Sequence, residues 1–385
     1  MNWSRFSLIV AMGFLSGAYA ASAVGADQTF ETLSVAKMPA ATPHRIYISD
    51  IAMSHIVDGR LHVIDGDALK YLGMIATGYA GNSTLSVDRQ ELYVATTYYT
   101  RLSRGERSDV VDIYDPQTLE HKTEISIPPR HAEALPYKGL IRPSSDGRWL
   151  FVQNATPASS VTVVDLKARK FASEVSTPGC WIIIPSQTAG NRFSTLCGDG
   201  TLQTIALNDN GSFKSRTRSA RFFDPEDDPV FVQSDNIGDR HFFVSYKGLV
   251  HTADLSGEEP RLEAPWSLVG ANDMRKAWRP GGYQLLAIHR KTGRMFVAMH
   301  VGGKDGSHKN PATEIWVFDL NQKKRVARLP GQNAIALTVD QTDTPKLFAI
   351  DGVKMGLAVF DASAKPHFLH RMEQIGEAAT LMELQ

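Results

Sequence analysis

The chain has 385 residues, and its 41 Lys and Arg are balanced by 41 Asp and Glu, so the formal net charge is zero. That balance excludes the basic field that would gather nucleic acid or an anionic membrane surface. Two cysteines without a CxxC or nearby histidines make a poor zinc site, and their even number invites one disulfide.

The N-terminus reads as a secretory signal. Arg5 precedes an apolar run over 6–17 that is too short to span a bilayer, and Ala18-Tyr19-Ala20 or Val24-Gly25-Ala26 supplies the small residues of a cleavage site. Residues 1–26 are assigned to a signal peptide cleaved between 20 and 26, and 27–385 to a single exported domain. No later stretch is long and apolar enough for a membrane span, so no membrane partner is expected. Bacterial periplasm is the compartment this predicts, and it is oxidising enough for the cysteines to pair.

From residue 45 a two-beat pattern returns seven times, a turn leading into one apolar strand and then a second. The first beats open at Arg45, Glu91, Arg148, Arg192, Arg240, Arg294 and Lys346. The second beats end at Asp65, Asp115, Asp165, Leu207, Asp254, Asp319 and Asp361. A period of roughly 50 residues built from short strands predicts an all-β, seven-bladed β-propeller. Each blade is then a four-stranded antiparallel meander, with strands A to D running from the axis outward. The recurrent Asp residues read as turn initiators rather than catalysts.

In chain order, blade one has strands B, C and D near residues 45, 61 and 71 but no obvious A. Blade two is predicted over 83–87, 91–96, 110–114 and 122–127. Cys180 opens strand A of blade four and Cys197 closes its strand B. Antiparallel neighbours bring those ends within bridging distance, and closing the loop is worth about 3 kcal/mol in the chain-entropy model. A structural bridge is preferred to a redox-active pair. The last blade is predicted over 334–339, 347–350, 356–360 and 367–373. The leftover segment 378–384 fills the missing strand A of blade one, closing the ring and removing two unpaired edges. The segment 32–35 competes for the same slot.

Meander topology also sorts the loops. A–B and C–D turns share one face, while B–C and D–A loops share the other. The long excursions over 98–109, 128–139, 266–282 and 300–313 are all B–C or D–A loops, so one face is elaborated, and function concentrates on such loops.

No self-contained active site is legible: there is no G-x-S-x-G, H-E-x-x-H, phosphate loop or EF-hand pattern. His289, His300 and His308 lack the spacing of a helical ligand pair and read as surface or packed residues. Arg101, Arg104 and Arg107 share a loop with Glu106 and Asp109. They form either a self-paired solvated loop or, with Tyr98, a surface that orients a partner protein. Tyr79 lies in Gly78-Tyr79-Ala80-Gly81-Asn82, where glycines let the loop turn tightly and expose the ring. Tyr98, Tyr99, Tyr137, Trp266, Trp278 and Tyr283 lie in or beside loops of the same face, each open to an interface or a core reading.

Several of these segments carry a resemblance. The run 96–111, Gly179-Cys180-Trp181 with Cys197-Gly198-Asp199-Gly200, the run 278–283, His289-Arg290 and the run 308–316 are similar to the heavy chain of quinoprotein amine dehydrogenases. The resemblance spans nearly all of the mature chain. It implies a seven-bladed heavy chain paired with a small, cysteine-rich light chain in a two-plus-two heterotetramer of the periplasm. The light chain carries tryptophan tryptophylquinone and the catalytic Asp. The heavy chain is implied to hold no covalent cofactor, no metal and no catalytic residue. The assembled enzyme would oxidise a primary amine to an aldehyde and ammonia and pass electrons to a blue-copper protein, an amicyanin or azurin. A heavy-chain Phe of the family lines the substrate pocket, and Tyr79 stands at the matching position, a departure from the pattern. The stretch 281–316 looks closer to the aromatic amine branch than to the methylamine branch. The competing readings are a propeller that only binds partners or ligands, and a propeller lactonase with a metal in its central channel.

Overall fold

Strands rich in Ile, Val and Phe alternate with polar turns throughout residues 37–385, which are the residues described by the structure, a computed structural model. The signal-peptide and cleavage assignments, and the segment 32–35, lie outside the described residues. The described residues make a β-propeller of antiparallel blades. Four sheets have four strands each, one has five and one has eight.

Burial falls outward along each blade. In the first sheet Arg45–Asp50 is almost wholly buried, whereas Lys70–Ala76 is mostly exposed. The inner strands are covered on both faces by neighbouring blades and so read as continuous apolar runs. Trp149, Phe151, Phe193, Trp316 and Phe318 fill the seams between sheets.

The repeated Asp residues do build turns. Asp65 accepts hydrogen bonds from the backbone N–H groups of Asp67 and Ala68, both at 2.9 Å. Asp115, Asp319 and Asp361 cap their own turns in the same way. Four residues after Asp65, Asp115, Asp165 and Asp319, the chain enters the left-handed region at Leu69, Leu119, Arg169 and Lys323. A β-bulge recurs between strands C and D beside these turns, for example at Val63/Ile64 and Ile113/Tyr114. Bulges raise local twist, which suits a propeller blade.

Three sequence expectations meet the structure here. The C-terminal strand Ala379–Leu384 pairs with Arg45–Asp50, taking the inner position of the first sheet. The cysteines face each other in register and are bonded, with Cα atoms 3.9 Å apart. The seven-fold division, however, is not reproduced as seven sheets. One strand, Lys324–Val339, runs unbroken from the outer edge of one four-strand unit to the inner edge of the next and joins them into the eight-stranded sheet. The predicted break is absorbed by bulges and by positive φ at Gln332 and Asn333, so the backbone crosses without leaving the ladder.

A second difference concerns the excursion over 98–109. The ladder between Leu92–Tyr99 and Arg107–Tyr114 continues through Thr97↔Asp109, Tyr98↔Ser108 and Tyr99↔Arg107, so only residues 100–106 form the turn. Thr and Tyr favour extended structure, and the ion pairs of Arg107 described below hold the extension.

Glutamines clasp the inner strands to one another. The Gln233 side chain donates to the Leu286 carbonyl and accepts from the Leu286 N–H. Gln284 does the same for Met382 and also donates to the Leu337 carbonyl.

Candidate functional site

The two loop classes assigned to one face do meet. The Gly282 N–H of one D–A loop donates to the His308 carbonyl of a B–C loop, and the Ala155 N–H donates to the Arg130 carbonyl across another such pair at 2.9 Å. The best-built meeting point is at Tyr79. Gly78 and Ala80 both have positive φ, so the chain pinches around Tyr79 and presents its ring. A Cβ at Gly78 would lie 2.6 Å from the Thr96 hydroxyl, so this turn needs glycine for space as well as conformation.

The Tyr79 ring meets Tyr99 edge to face, with centroids 5.7 Å apart. The Tyr99 hydroxyl donates to Glu133 at 3.3 Å. Glu133 is itself paired with Arg107 at 2.7 Å. Arg107 also grips Asp109 through two parallel bonds of 2.7 and 2.8 Å and donates to the His131 carbonyl at 3.0 Å. Asp109 is buried and accepts in addition from the His131 N–H. Burial pushes the Glu133 carboxyl up, opposed by Arg107. The bonds to Asp109 raise Arg107 further above its already high range, so it stays charged.

The candidate interface residues therefore separate. Arg107 is committed inside the chain as a brace for the aromatic pair. Arg101 and Arg104 are exposed at the hairpin tip and make no ion pair among the described residues. Between them Leu102 stands 73% exposed, an apolar contact framed by cations. Tyr98 is exposed, but its hydroxyl donates to buried Asp112 at 2.6 Å. Asp112, His121 and Glu124 come close enough to hold a cation. Asp112 is nevertheless already engaged by Tyr98 on one oxygen and by His121 on the other, at 3.1 Å.

The other aromatics resolve toward packing. Trp278 is buried against Trp316, and Arg328 lies over both rings. That pair is core, with the Trp316 N–H held by Glu314 at 2.6 Å, and it offers no seat open to a substrate. Tyr137 and Trp266 pack at the margins of apolar clusters, and Tyr283 lies under Lys309. His289 bonds Thr292 and the Thr342 carbonyl, His300 bonds Ser307, and His308 is exposed, so the three do not converge.

A profile of the methylamine dehydrogenase heavy chain family matches residues 42–384. The chain belongs to that family. It is 28% identical over 366 residues to the methylamine dehydrogenase heavy chain of Methylobacillus flagellatus, covering 94% of this chain and 90% of that one. It is 27% identical to the corresponding heavy chain of Methylophilus methylotrophus, covering 91% and 85%. Among solved structures, a functionally unknown protein from Desulfotomaculum acetoxidans superposes with a TM-score of 0.61 at 14% identity, covering 89% of this chain and 98% of that one. At that identity the likeness is one of fold.

Within this heavy chain family member, sequence reasoning singled out Tyr79 but missed Glu133, which lies in the loop over 128–139. The spacing Arg107-x-Asp109 on one strand was the available signal for the brace. Glu133 was silent because its partners Tyr99 and Arg107 lie far back in the chain, on strands of the sheet that its loop leaves.

Proposed function

We propose that this chain is the heavy subunit of a periplasmic quinoprotein amine dehydrogenase, exported through an N-terminal signal peptide. It scaffolds a light chain that carries tryptophan tryptophylquinone, in a two-plus-two assembly. When bound on the light chain, the quinone would supply the two-electron redox chemistry by which a primary amine and water give an aldehyde, ammonia and two protons, and a blue-copper protein of the amicyanin or azurin type would take the two electrons onward. The observation that carries this reading is the Tyr79–Tyr99 pair, held rigid at the elaborated face of a chain belonging to this family.

Tyr79 and Tyr99 form one wall of the substrate passage, and the light chain supplies the other. The rings exclude water and present an aromatic edge to the substituent on the amine carbon. Arg107 and Glu133 fix Tyr99, and Tyr99 fixes Tyr79, so the wall is preorganised. An aromatic wall suits an aryl substituent, which favours the aromatic amine branch. Arg101, Leu102 and Arg104 at the hairpin tip, with Tyr98 beside them, suit contact with a partner surface that is apolar at its centre and acidic at its rim. We read the eight-stranded sheet as two blades sharing one strand, in a proposed seven-bladed ring closed by the C-terminal strand.

The metal-lactonase alternative is disfavoured by charge. The central cavity presents Lys138 and Arg142, which repel a cation.

The test is co-purification of the full protein from its source. It should carry a small subunit with quinone absorbance and oxidise amines with a copper-protein acceptor. A chain that runs alone, with no quinone-absorbing subunit, overturns the proposal.

A further inference from the structure

The inner strands enclose a central cavity of about 460 Å³, within the size range of small-molecule sites. Its charged lining does not balance. Arg89 pairs with Glu383 at 3.0 Å, and Arg290 pairs with Asp235 at 3.4 Å. Asp340, also in the wall, is taken by His44 at 3.1 Å and by the Thr342 N–H at 2.7 Å. Every carboxylate of the lining is thus occupied.

Two cations remain. Lys138 has a single bond, to the Met382 carbonyl at 3.3 Å. Arg142 has no hydrogen bond or ion pair among the described residues, although its guanidinium brings five donors. Burial depresses the pKa of both groups; Glu383 opposes it at each, while Arg142 adds to it at Lys138 and Arg89 and Arg290 add to it at Arg142. His241 lines the same cavity, is 5% exposed, and has both ring nitrogens without a partner. Its imidazole feels both Arg142 and Arg290. Buried polar groups such as the His241 ring nitrogens are rarely left unmatched, and beside them stand two half-buried cations with no carboxylate of their own.

We propose that this cavity is a binding site for a small oxyanion, a carboxylate or a tetrahedral phosphate or sulfate group, held by Arg142, Lys138 and His241. Arg142 supplies a fork that matches two oxygens of either group. Lys138 adds a point charge, and neutral His241 donates one N–H. The site is independent of the amine reading, because Tyr79 and Tyr99 do not line the cavity.

The test is thermal unfolding of the full chain at constant ionic strength, with chloride replaced stepwise by phosphate, sulfate or succinate. Matching ionic strength and requiring saturation at millimolar levels separates binding from general salting effects. The expected result is a saturable rise in midpoint with at least one probe. Phosphate or sulfate acting alone identifies a tetrahedral group, and succinate acting alone a carboxylate. Arg142→Gln should unfold at the same or a higher temperature in chloride, since it removes a half-buried cation that has no partner among the described residues, and should weaken the probe's effect at least tenfold. Lys138→Gln gives a second reading should Arg142→Gln lose native circular dichroism. No saturable rise with any probe overturns the proposal, as does an undiminished rise in the folded variants.

Discussion

The carboxylate of Asp50 accepts a hydrogen bond from the Glu377 backbone N–H at 2.6 Å, tying the strand that begins the first sheet to the segment that leads into the last strand. The same carboxylate also accepts from the Ala378 and Ala52 N–H groups and contacts His62. Burial alone would raise its pKa. The bonds from His62 and from the Glu377, Ala52 and Ala378 amides outweigh burial and hold it well below the usual carboxylate range.

Asp50→Asn should therefore loosen the pairing of Ala379–Leu384 with Arg45–Asp50. The expected loss is roughly 2 kcal/mol, the scale of hydrogen bonds to a buried charge. Amide exchange should quicken first in the C-terminal strand. Because the folded-state pKa is depressed, the contribution is complete above about pH 4, where the unfolded carboxyl is ionised. It is lost as pH falls through the folded value. Unchanged exchange in that strand would refute this account.

Arg107→Ala leaves buried Asp109 without its cation and frees Glu133. Breaking such a pair costs about 3 kcal/mol, read from urea denaturation. Arg107→Lys should recover only part of this, because an ammonium cannot make the two parallel bonds to Asp109. Full recovery by Lys would show that charge alone matters.

Acid should destabilise the protein well above the carboxylate range. Burial pushes the pKa of His131 and of His241 down to about 4, against the ordinary value of 6.5. Between those limits the unfolded chain binds more protons, so stability falls as pH drops from 7. At pH 5 each histidine should cost about 2 kcal/mol. His131→Gln should flatten the slope of stability between pH 7 and 5. An unaltered slope would mean that His131 is not held neutral.

Reducing the Cys180–Cys197 bond, or replacing both residues by Ser, should lower stability by about 3 kcal/mol in the chain-entropy model. The pair ties two strands already in register, so the folded topology should persist. Loss of the fold after reduction would make the bond a condition of folding rather than a contribution to it.

In the assembled enzyme, Tyr79→Ala should lower kcat/KM for an aryl-substituted amine relative to methylamine by roughly tenfold, about the worth of one aromatic edge contact. Tyr79→Phe should keep the ring and change the ratio less. Identical ratios in all three proteins would remove Tyr79 from the substrate passage.

The strand positions and the pairing of 378–384 with the first sheet were legible because each strand carries its own apolar pattern and all but one of the recurring turns begin with Asp. The cysteine pairing was legible for a related reason, since its two residues sit on neighbouring strands. Legibility ended where side chains far apart in the chain meet. Glu133 gives no local signal of its contact with Arg107 and Tyr99, and Lys138, Arg142 and His241 converge only once the inner strands surround the axis. The extended strand Lys324–Val339 escaped prediction because Pro330-Gly331-Gln332-Asn333 reads as a break. Its bulges keep the chain within the sheet instead.

That strand also sets which parts of the molecule can separate. A hydrogen-bonded ladder passes from Leu286–His289 to His367–Met372 without a loop between its two four-strand units to act as a joint, so this eight-stranded sheet should open as one cooperative piece. Other inner-strand seams rest on clasps such as Gln233 on Leu286. Slow motions that let a solute reach the axis would begin at those clasps, which makes a glutamine a better control point for access than any apolar residue of the core.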